Sequence, residues 1–450
     1  MKIEPGRIIN DFIEPNKRQY AIPVYQRNYE WSKEQCVKLF QDIVQAYKKD
    51  KTHFCGSVVY AQTKEEKNIY YYVIIDGQQR LTTIYLLIKA LHDMAETDAE
   101  RATMEEALLN KDKFDSYDVD VASKLKLKPI KSDNNQLMLL MDNKKDKVDK
   151  ETGLWKNYEL FCALIKEQQQ EGLSVKDIYR GLEKLICAKI SLENNDNAQE
   201  IFERINSTGV PLSLADKIRN FVLMVDVDQE RLYEDYWLPT ENAVKRTNMT
   251  AFFLDYLNMK IDGFAKENEA YEDFKEMYYA EQFTNESVLK EILHYGTFYK
   301  AFLYGDNKYS KKVNAVLSDL QKLKQTTVFL FLFRVFDDFE SGIIDEKELE
   351  KVLQFLLNYS VRRVICEVGS NSLRGLYKSL YSRIFTSEEN KKHYYDSVVS
   401  FFKQLTSKDA LISEDEFEEA IIYNNLYRKN ALCKYLLTAI ENQGKEQLIT

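Results

Sequence analysis

VIIDGQQRLTTIYLL, residues 73–87, contains the transition that decides the fold of the first half of this chain. Residues 73–75 end an almost continuous apolar run, which is typical of a strand covered on both faces. From Leu81 onward the apolar residues recur at helical spacing. DGQQR, residues 76–80, therefore lies where a strand ends and a helix begins. The free N–H groups and the dipole of that helix end favour anions.

DGQQR combines side chains that suit a bound phosphate. Asp76 can hold a metal ion or water, Gly77 lets a ligand approach the backbone, and Arg80 presents a bidentate fork. Gln78 and Gln79 offer amide hydrogen bonds. The alternative is an ordinary strand-to-helix turn, which would explain Asp76 and Gly77. It does not explain Arg80, whose place at the positive helix end costs ~0.3–1 kcal/mol without an anion, so we favour a functional site.

The composition predicts an α+β protein of more than one domain. The chain has 450 residues, and 44% of them are hydrophobic. It contains 30 tyrosines and 24 phenylalanines but only 14 glycines and 6 prolines. Because Pro239 is the last proline, the second half suits a long run of helices. We predict a mixed α/β domain over residues 1–225 and an all-helical domain over residues 226–450.

The net charge of −9 gives no global attraction to nucleic acid, so any DNA contact must come from local basic patches. The strongest of these patches is a run of cations that contains one acidic residue, Glu367. It predicts contacts to the DNA backbone. An ordinary solvated helix face is an equally good interpretation. Its members are Arg362, Arg363, Arg374, Lys378 and Arg383. A second group, Lys124, Lys126 and Lys128, alternates on a short strand candidate, where solvated lysines commonly block aggregation.

Several familiar chemistries are excluded by the sequence. The four histidines have no metal-ligand spacing, and there is no GxxxxGK[ST], GxGxxG or GxSxG, so we expect neither zinc nor NAD. The six cysteines are scattered and lie mostly in apolar runs, which predicts reduced thiols in a cytoplasmic protein. The sequence contains no apolar run of about 18 residues, so we predict no membrane-spanning helix.

Two further segments have both a structural and a functional interpretation. In IPVYQRNYEW, residues 22–31, aromatic rings beside Arg27 could hold a base and a phosphate. Taken alone, this segment is better explained as a strand with its rings in the core and Arg27 solvated. In FERINSTGVPLS, residues 202–213, a helix end with Asn206 or Gly209 in a left-handed conformation, followed by a capped helix, explains most of the pattern.

Taken together, four motifs resemble the N-terminal domain of the GmrSD-type, modification-dependent restriction proteins, whose core is similar to ParB and sulfiredoxin. The motifs are IPVYQRNYEW (22–31), HFCGSVV (53–59), IIDGQQRLTTIYLL (74–87) and FERINSTGVPLSLADKIRNFVL (202–223). Their order and spacing make the resemblance specific. The later YSVRRVICEVGSNSLRGLYKSL (359–380) is similar to the helical region that follows in the same proteins.

The resemblance implies that a nucleoside triphosphate is bound and hydrolysed at DGQQR with Mg²⁺. It gives catalytic roles to Asp76, Arg80 and Gln79, with Asp76 also holding the metal. The implied nucleotide-binding residues are Gly77 and Gln78 of the motif, Gln26 and Arg27 of the YQR segment, and Asn206 and Gly209 of the N-x-x-G turn.

The chain departs from many relatives, which continue into an HNH-type nuclease domain, whereas its last histidine is His393. We therefore expect either a chain cut before that domain or the sensing half of a split system. The leading hypothesis is an NTP-hydrolysing sensor of a restriction system that defends against phage. Its partners would be DNA, including modified DNA, and an HNH domain or subunit, with no membrane. The alternatives are a non-enzymatic DNA- or partner-binding module and, third, a ParB-like nuclease.

Overall fold

A computed structural model describes residues 1–66, 69–110, 124–193, 196–205, 212–224, 228–428 and 430–442. The chain divides into two compact units, one of residues 1–212 and 219–230, the other of residues 213–218 and 231–450. The domain boundary predicted between 225 and 226 lies outside the described residues and stays a prediction.

The described part of the first unit contains a six-stranded mixed sheet, in the order β1-β6-β3-β4-β2-β5. The fourth strand pairs antiparallel with the third and parallel with the second, so the strand that leads into DGQQR lies inside the sheet. It is fully buried only at Ile74 and Ile75, next to the motif. The strands are β1 Lys2–Arg7, β2 Arg18–Ala21, β3 His53–Glu66, β4 Ile69–Asp76, β5 Leu127–Lys128 and β6 Leu185–Leu192.

The helix that follows DGQQR is the centre of the first unit's core. Helix Gln78–Met94 is buried along almost its whole length. Its buried surface extends beyond the single apolar face predicted from the sequence, because several helices of the unit pack against it. The helices of this unit are α1 Lys33–Lys48, α2 Gln78–Met94, α3 Asp98–Leu108, α4 Lys131–Met141, α5 Gly153–Gln170, α6 Val175–Leu182 and α7 Ala198–Ile205, with a π-helical turn at Ile8–Ile13.

Lys126 corrects the sequence interpretation of the short lysine-bearing strand. Its side chain is 2% exposed, and its ammonium donates hydrogen bonds to the carbonyl oxygens of Ile13, Glu14 and Glu106 at 3.0, 2.9 and 2.6 Å. Burial lowers the pKa of Lys126 to about 8. The prediction of three solvated lysines is therefore wrong for Lys126. Its hydrogen bonds hold separate segments of the chain together, and it does not protect an exposed strand edge from aggregation.

A buried ionic cluster closes the C-terminal end of α2. Lys89, 2% exposed, donates to Asp93 at 2.7 Å, and the same carboxylate receives Lys145 at 2.8 Å and the hydroxyl of Tyr158 at 2.6 Å. His92 lies 2.8 Å from it. Burial alone would raise the pKa of Asp93, but the hydrogen bonds from its partners outweigh burial and hold the pKa well below its usual value.

The second unit is helical throughout its described secondary structure, so the predicted fold class, mixed α/β followed by helices, is confirmed. None of the helices in the described ranges is long and apolar enough to cross a membrane. Two helices, α8 Leu214–Leu223 and α9 Gln229–Leu232, contain the points of division. The others are α10 Leu238–Val244, α11 Met249–Lys260, α12 Ala270–Ala280, α13 Asn285–Tyr304, α14 Lys311–Lys322, α15 Phe329–Glu340, α16 Glu346–Ile365, α17 Leu373–Ile384, α18 Glu388–Lys392, α19 Tyr394–Lys403, α20 Glu414–Tyr423 and α21 Asn430–Asn442.

Asp93→Asn should lower the free energy of unfolding by about 3 kcal/mol, because it leaves the buried Lys89 without its counter-charge. Since the pKa of Asp93 is depressed in the folded protein, this stabilisation is present above the unfolded pKa of about 3.9 and is lost as the pH falls below it. Urea unfolding at pH 7 measures the loss. Asp98→Asn, which removes an exposed ion pair to Arg101, is the matched control and should change little. Equal effects of the two substitutions would contradict the assignment.

Candidate functional site

The turn between β4 and α2 requires glycine at position 77. Gly77 has φ +90° and ψ 5°, a left-handed conformation that costs other residues ~1–2 kcal/mol. A Cβ there would also come within 3.0 Å of the carbonyl oxygen of Ser57 and 3.2 Å of a methyl group of Val58. The first turn of α2 therefore lies directly against β3.

A bulge in β3 receives the side chain of Arg80. The pairing of β3 with β6 shifts between Phe54 and Ser57, and Gly56 inside this bulge has φ +99°. A Cβ on Gly56 would lie 2.6 Å from Nη2 of Arg80, so the guanidinium group rests on the glycine backbone. Nη1 of Arg80 donates to the carbonyl oxygen of Ser57 at 2.9 Å. Sequence analysis gave Gly56 and Ser57 no role, although both stand in the HFCGSVV motif.

Asp76 is paired with a hydroxyl group. Its Oδ2 accepts a hydrogen bond from Oγ of Ser57 at 3.3 Å, and both side chains are partly exposed. One carboxylate beside a hydroxyl suits Mg²⁺, which completes its octahedron with phosphate oxygens and water. Among the described residues, no cluster of three or more His, Cys, Asp or Glu side chains could hold a metal ion by itself.

Gln79 fastens the YQR loop to α2. Its Nε2 donates to the carbonyl oxygen of Asn28 at 2.9 Å, and its Oε1 accepts the backbone N–H of Glu30 at 2.8 Å. Both ends of the amide are thus bonded to the loop backbone. These contacts support a positioning role, and the catalytic role read from the resemblance stays a prediction.

The same loop is tied to the last residues of β4. Gln26, 2% exposed, donates from Nε2 to the carbonyl oxygen of Ile75 at 2.9 Å. Arg27 therefore lies between two anchors, the Gln26 bond to β4 and the Gln79 bond to α2. Its Nη1 is 3.5 Å from a carboxylate oxygen of Glu30, while its Nε is buried without a hydrogen-bond partner. The loop that carries Arg27 is thus fastened to both elements that flank DGQQR, and the nucleotide-binding role of Arg27 stays a prediction.

Gln78 supplies a second buried group without a partner. The residue is 7% exposed, and its Oε1 makes no hydrogen bond within the described structure. Buried polar atoms are nearly always bonded, and leaving one unbonded costs ~1–3 kcal/mol. An unbonded acceptor on Gln78 and an unbonded donor on Arg27 are the pattern expected of groups that a ligand completes.

The aromatic residues of the YQR loop belong to the core. Tyr25 and Tyr29 are 3% and 8% exposed, and burial raises the pKa of both. The hydroxyl of Tyr29 bonds with Thr83 at 2.8 Å and accepts from Asn157 at 3.1 Å. The structural alternative is thus correct for these rings, but the segment is a loop instead of a strand, and Arg27 is mostly buried instead of solvated.

Residues 9–223 match the family model described as GmrSD restriction endonuclease, N-terminal domain. These residues are a GmrSD N-terminal domain. The match includes the YQR loop, the β3 bulge and DGQQR, and it indicates a restriction system with DNA as a partner. No curated protein matches the chain.

The N-x-x-G turn of the GmrSD domain cannot be placed against DGQQR, because Asn206 and Gly209 lie outside the described residues. The helix before the turn, α7, packs against β4, and its Phe202 is 2% exposed. The segment that leads to the turn thus starts beside the strand that carries Asp76.

Four of the five cations in the basic patch, Arg362, Arg363, Arg374 and Lys378, are engaged within the helical unit. Arg363 is 2% exposed and donates to the hydroxyl of Tyr359 at 3.1 Å and to the carbonyl oxygen of Gly369 at 2.8 Å. Arg362 pairs with Glu414 at 2.6 Å. Such contacts hold helices together and leave little of either charge for a phosphate.

The other two cations are similarly engaged. Arg374 lies 3.4 Å from Asp255, and Lys378 donates to the carbonyl oxygens of Asn258 and Ile261 at 2.8 and 2.5 Å. Burial raises the pKa of Asp255 to about 7, although Arg374 opposes this shift. The DNA role of these four cations stays a prediction, and their internal contacts do not favour it.

Gly77→Ala should destabilise the GmrSD domain more than a glycine substitution of equal backbone strain. Gly172, at φ +92° with nothing within 4 Å of its Cβ position, is the matched control. Gly172→Ala should cost ~1–2 kcal/mol from backbone strain alone. Gly77→Ala should cost a further ~1–3 kcal/mol, because its Cβ is driven onto Ser57. The two midpoints of urea unfolding give the difference, and equal midpoints would contradict the close approach of α2 to β3.

Proposed function

We propose that the GmrSD domain binds a nucleoside triphosphate at DGQQR and hydrolyses it, as the sensor and regulatory part of a modification-dependent restriction system. The observation that carries the proposal is Arg80, held against Gly56 in the first turn of a helix that has no acidic residue there. A cation at a positive helix end is unfavourable by itself and favourable with an anion between them.

Phosphate recognition would use three elements of the junction. Arg80 donates one of its five N–H groups to Ser57, and others can donate to phosphate oxygens. The first N–H groups of α2, which have no partner within the helix, would add donors for the phosphate. Arg27, with its unbonded Nε, brings a second guanidinium from the YQR loop.

Magnesium would be held by Asp76, with the hydroxyl of Ser57 beside it. When bound, Mg²⁺ neutralises charge on the phosphate oxygens. Arg80 and the helix N-terminus are fixed before the ligand arrives, so they can stabilise the charge that develops in phosphoryl transfer without rearranging. Gln79 keeps the YQR loop, and with it Arg27, at the site.

DNA cleavage in this proposal belongs to an HNH-type nuclease domain or subunit, and the nucleotide state of DGQQR controls it. One observation favours a second candidate, a binding module without hydrolysis. The amide of Gln79 is bonded at both ends to the loop backbone, so it is not free to orient an attacking water.

Arg80→Gln and Asp76→Asn should each lower phosphate release about 10²–10³-fold, the loss typical when one charge-stabilising group is removed. The assay would offer each of the common ribonucleoside triphosphates with Mg²⁺ to the full chain. Arg101→Gln, which removes an arginine of α3 paired with Asp98, is the control and should be active. Equal release by wild type and both variants would reject hydrolysis at this site. Nucleotide-dependent thermal stabilisation that Arg80→Gln abolishes, without any release, would favour the binding module.

Gln78→Met should stabilise the free protein by about 1 kcal/mol, because it replaces a buried unbonded acceptor by an apolar group of similar size. The same substitution should weaken nucleotide binding. Gln26→Met is the matched control, since its amide is bonded to Ile75 and its loss should be destabilising. Thermal unfolding with and without nucleotide measures both effects. A destabilised Gln78→Met with unchanged affinity would remove Gln78 from the ligand site.

A further inference from the structure

The helical unit contains a cavity of about 620 Å³ between the end of α13 and the outer face of α14. Three of the residues that line it are lysines, Lys300, Lys311 and Lys322, and the only acid is Asp306. The remaining polar lining is neutral and includes Ser318 and Gln321. In a chain of net charge −9, such a lining marks a local preference for anions.

One wall of the cavity is held in a fixed shape by Asn314. Its Oδ1 accepts the backbone N–H of Asp306 at 2.8 Å, and its Nδ2 donates to the carbonyl oxygens of Asp306 and Tyr309 at 2.9 and 3.0 Å. Gly305 has φ +75°, and a Cβ there would lie 2.8 Å from the same Oδ1. The turn that ends α13 is therefore built around one side chain of α14.

The opposite wall is a polar stripe on α14. Lys311, Asn314, Ser318 and Gln321 follow one another at intervals of three and four residues, which places them on one face of the helix. The apolar side chains of α14, Val313, Val316, Leu317 and Leu320, are buried against other helices. The stripe is thus held toward the cavity by the packing of the other face.

The lysines of the cavity differ in how well they are neutralised. Lys300 is 2.8 Å from Asp306, and Lys322 is 3.1 Å from Asp319. Lys311 makes no ion pair with any described residue and is exposed in the first turn of α14. The carboxylates at that helix end, Glu346 and Glu350, are bonded to Ser310. Lys311 is therefore the lining lysine that keeps its charge for an incoming anion.

An aromatic ring and a further cation stand at the same place. Tyr304 lines the cavity and is 45% exposed, and the ammonium of Lys245 lies 4.0 Å from the centre of its ring. Lys245 has φ +65° and ψ 139°, a conformation that residues other than glycine rarely adopt. Asn248 fixes the hydroxyl of Tyr304 at 2.6 Å. Strained backbone that places a cation over an exposed ring is typical of functional sites.

We propose that this cavity binds a phosphate group of a nucleic-acid strand, with Tyr304 beside an unpaired base. Exposed lysines and an aromatic ring are the combination by which proteins bind single strands without reading their sequence. The proposal rests on the DNA partner of the proposed function, but not on nucleotide hydrolysis at DGQQR. It places a DNA contact in the helical unit at residues other than the four engaged cations. A mononucleotide offers the same phosphate chemistry, so the test separates the two sources.

The test measures binding of a fluorescent single-stranded 20-mer to the full chain across a series of salt concentrations. In Lys311→Gln/Lys322→Gln the slope of log K against log salt should fall by about 0.7, because the cavity binds one phosphate and each phosphate contact on a single strand contributes ~0.7. The control Lys347→Gln/Lys392→Gln removes two exposed lysines elsewhere in the unit and should keep the slope. Tyr304→Leu should weaken binding about tenfold with the slope unchanged.

An unchanged slope in Lys311→Gln/Lys322→Gln would overturn the proposal. It would equally be overturned if this variant lost binding of ATP or inorganic phosphate but kept its DNA slope, because the cavity would then serve a mononucleotide. Asp76→Asn should keep the DNA slope while losing phosphate release. The same set of variants therefore distinguishes a failure of the proposed nucleotide hydrolysis at DGQQR from a failure of the proposed DNA contact at the cavity.

Discussion

The contact of the Arg80 guanidinium with the backbone of Gly56 is the constraint on which the GmrSD domain depends. It requires a glycine in the bulge of β3, a second glycine at position 77 so that α2 can start against Ser57, and a pairing register that brings the bulge to the end of β4. A side chain at Gly77 would push α2 away from the backbone of β3, whereas a side chain at Gly56 would displace the guanidinium group of Arg80. The position of Arg80 and the packing of α2 on the sheet are therefore linked.

Helix α2 carries both the core and the site, which explains why polar groups stay buried at its start. Its apolar residues anchor the unit from within, so its first turn has little freedom to move. Gln79 uses that rigidity to hold the YQR loop, and Gln78 keeps an unbonded acceptor in place at a cost to stability. Natural proteins retain such a cost mainly where function requires the group.

Local patterns predicted much of this fold, whereas contacts between distant segments could not be predicted. The strand before DGQQR, the helix after it and the capped helix that starts at Ser213 depend on neighbours within a few residues. The φ of Gly56 depends on an arginine 24 positions later, and the burial of Lys126 on carbonyls more than a hundred positions away. The internal contacts of the basic patch could not be predicted for the same reason, since a local charge count does not reveal that Asp255 lies beside Arg374.

The same electrostatic preference, negative charge at the positive N-terminal end of a helix, applies to the first turns of helices in both units. Helices α3 and α16 begin with acidic residues and side-chain caps, as the positive helix end favours. α2 and α14 have a cation and no acid of their own in the first turn, although Ser310 caps α14 and is bonded to Glu346 and Glu350. Each of the two helix starts lies beside a second feature, unbonded buried groups in one case and a lysine-lined cavity in the other. Either feature alone would be weak evidence, because solvated lysines and tight turns are common. Their coincidence at both places supports the proposal of one anion site in each unit, the first formed by backbone and guanidinium groups, the second by lysines beside an aromatic ring. A compact cradle suits the clustered charges of a triphosphate, whereas an open cavity with an exposed ring suits one phosphate of a longer strand.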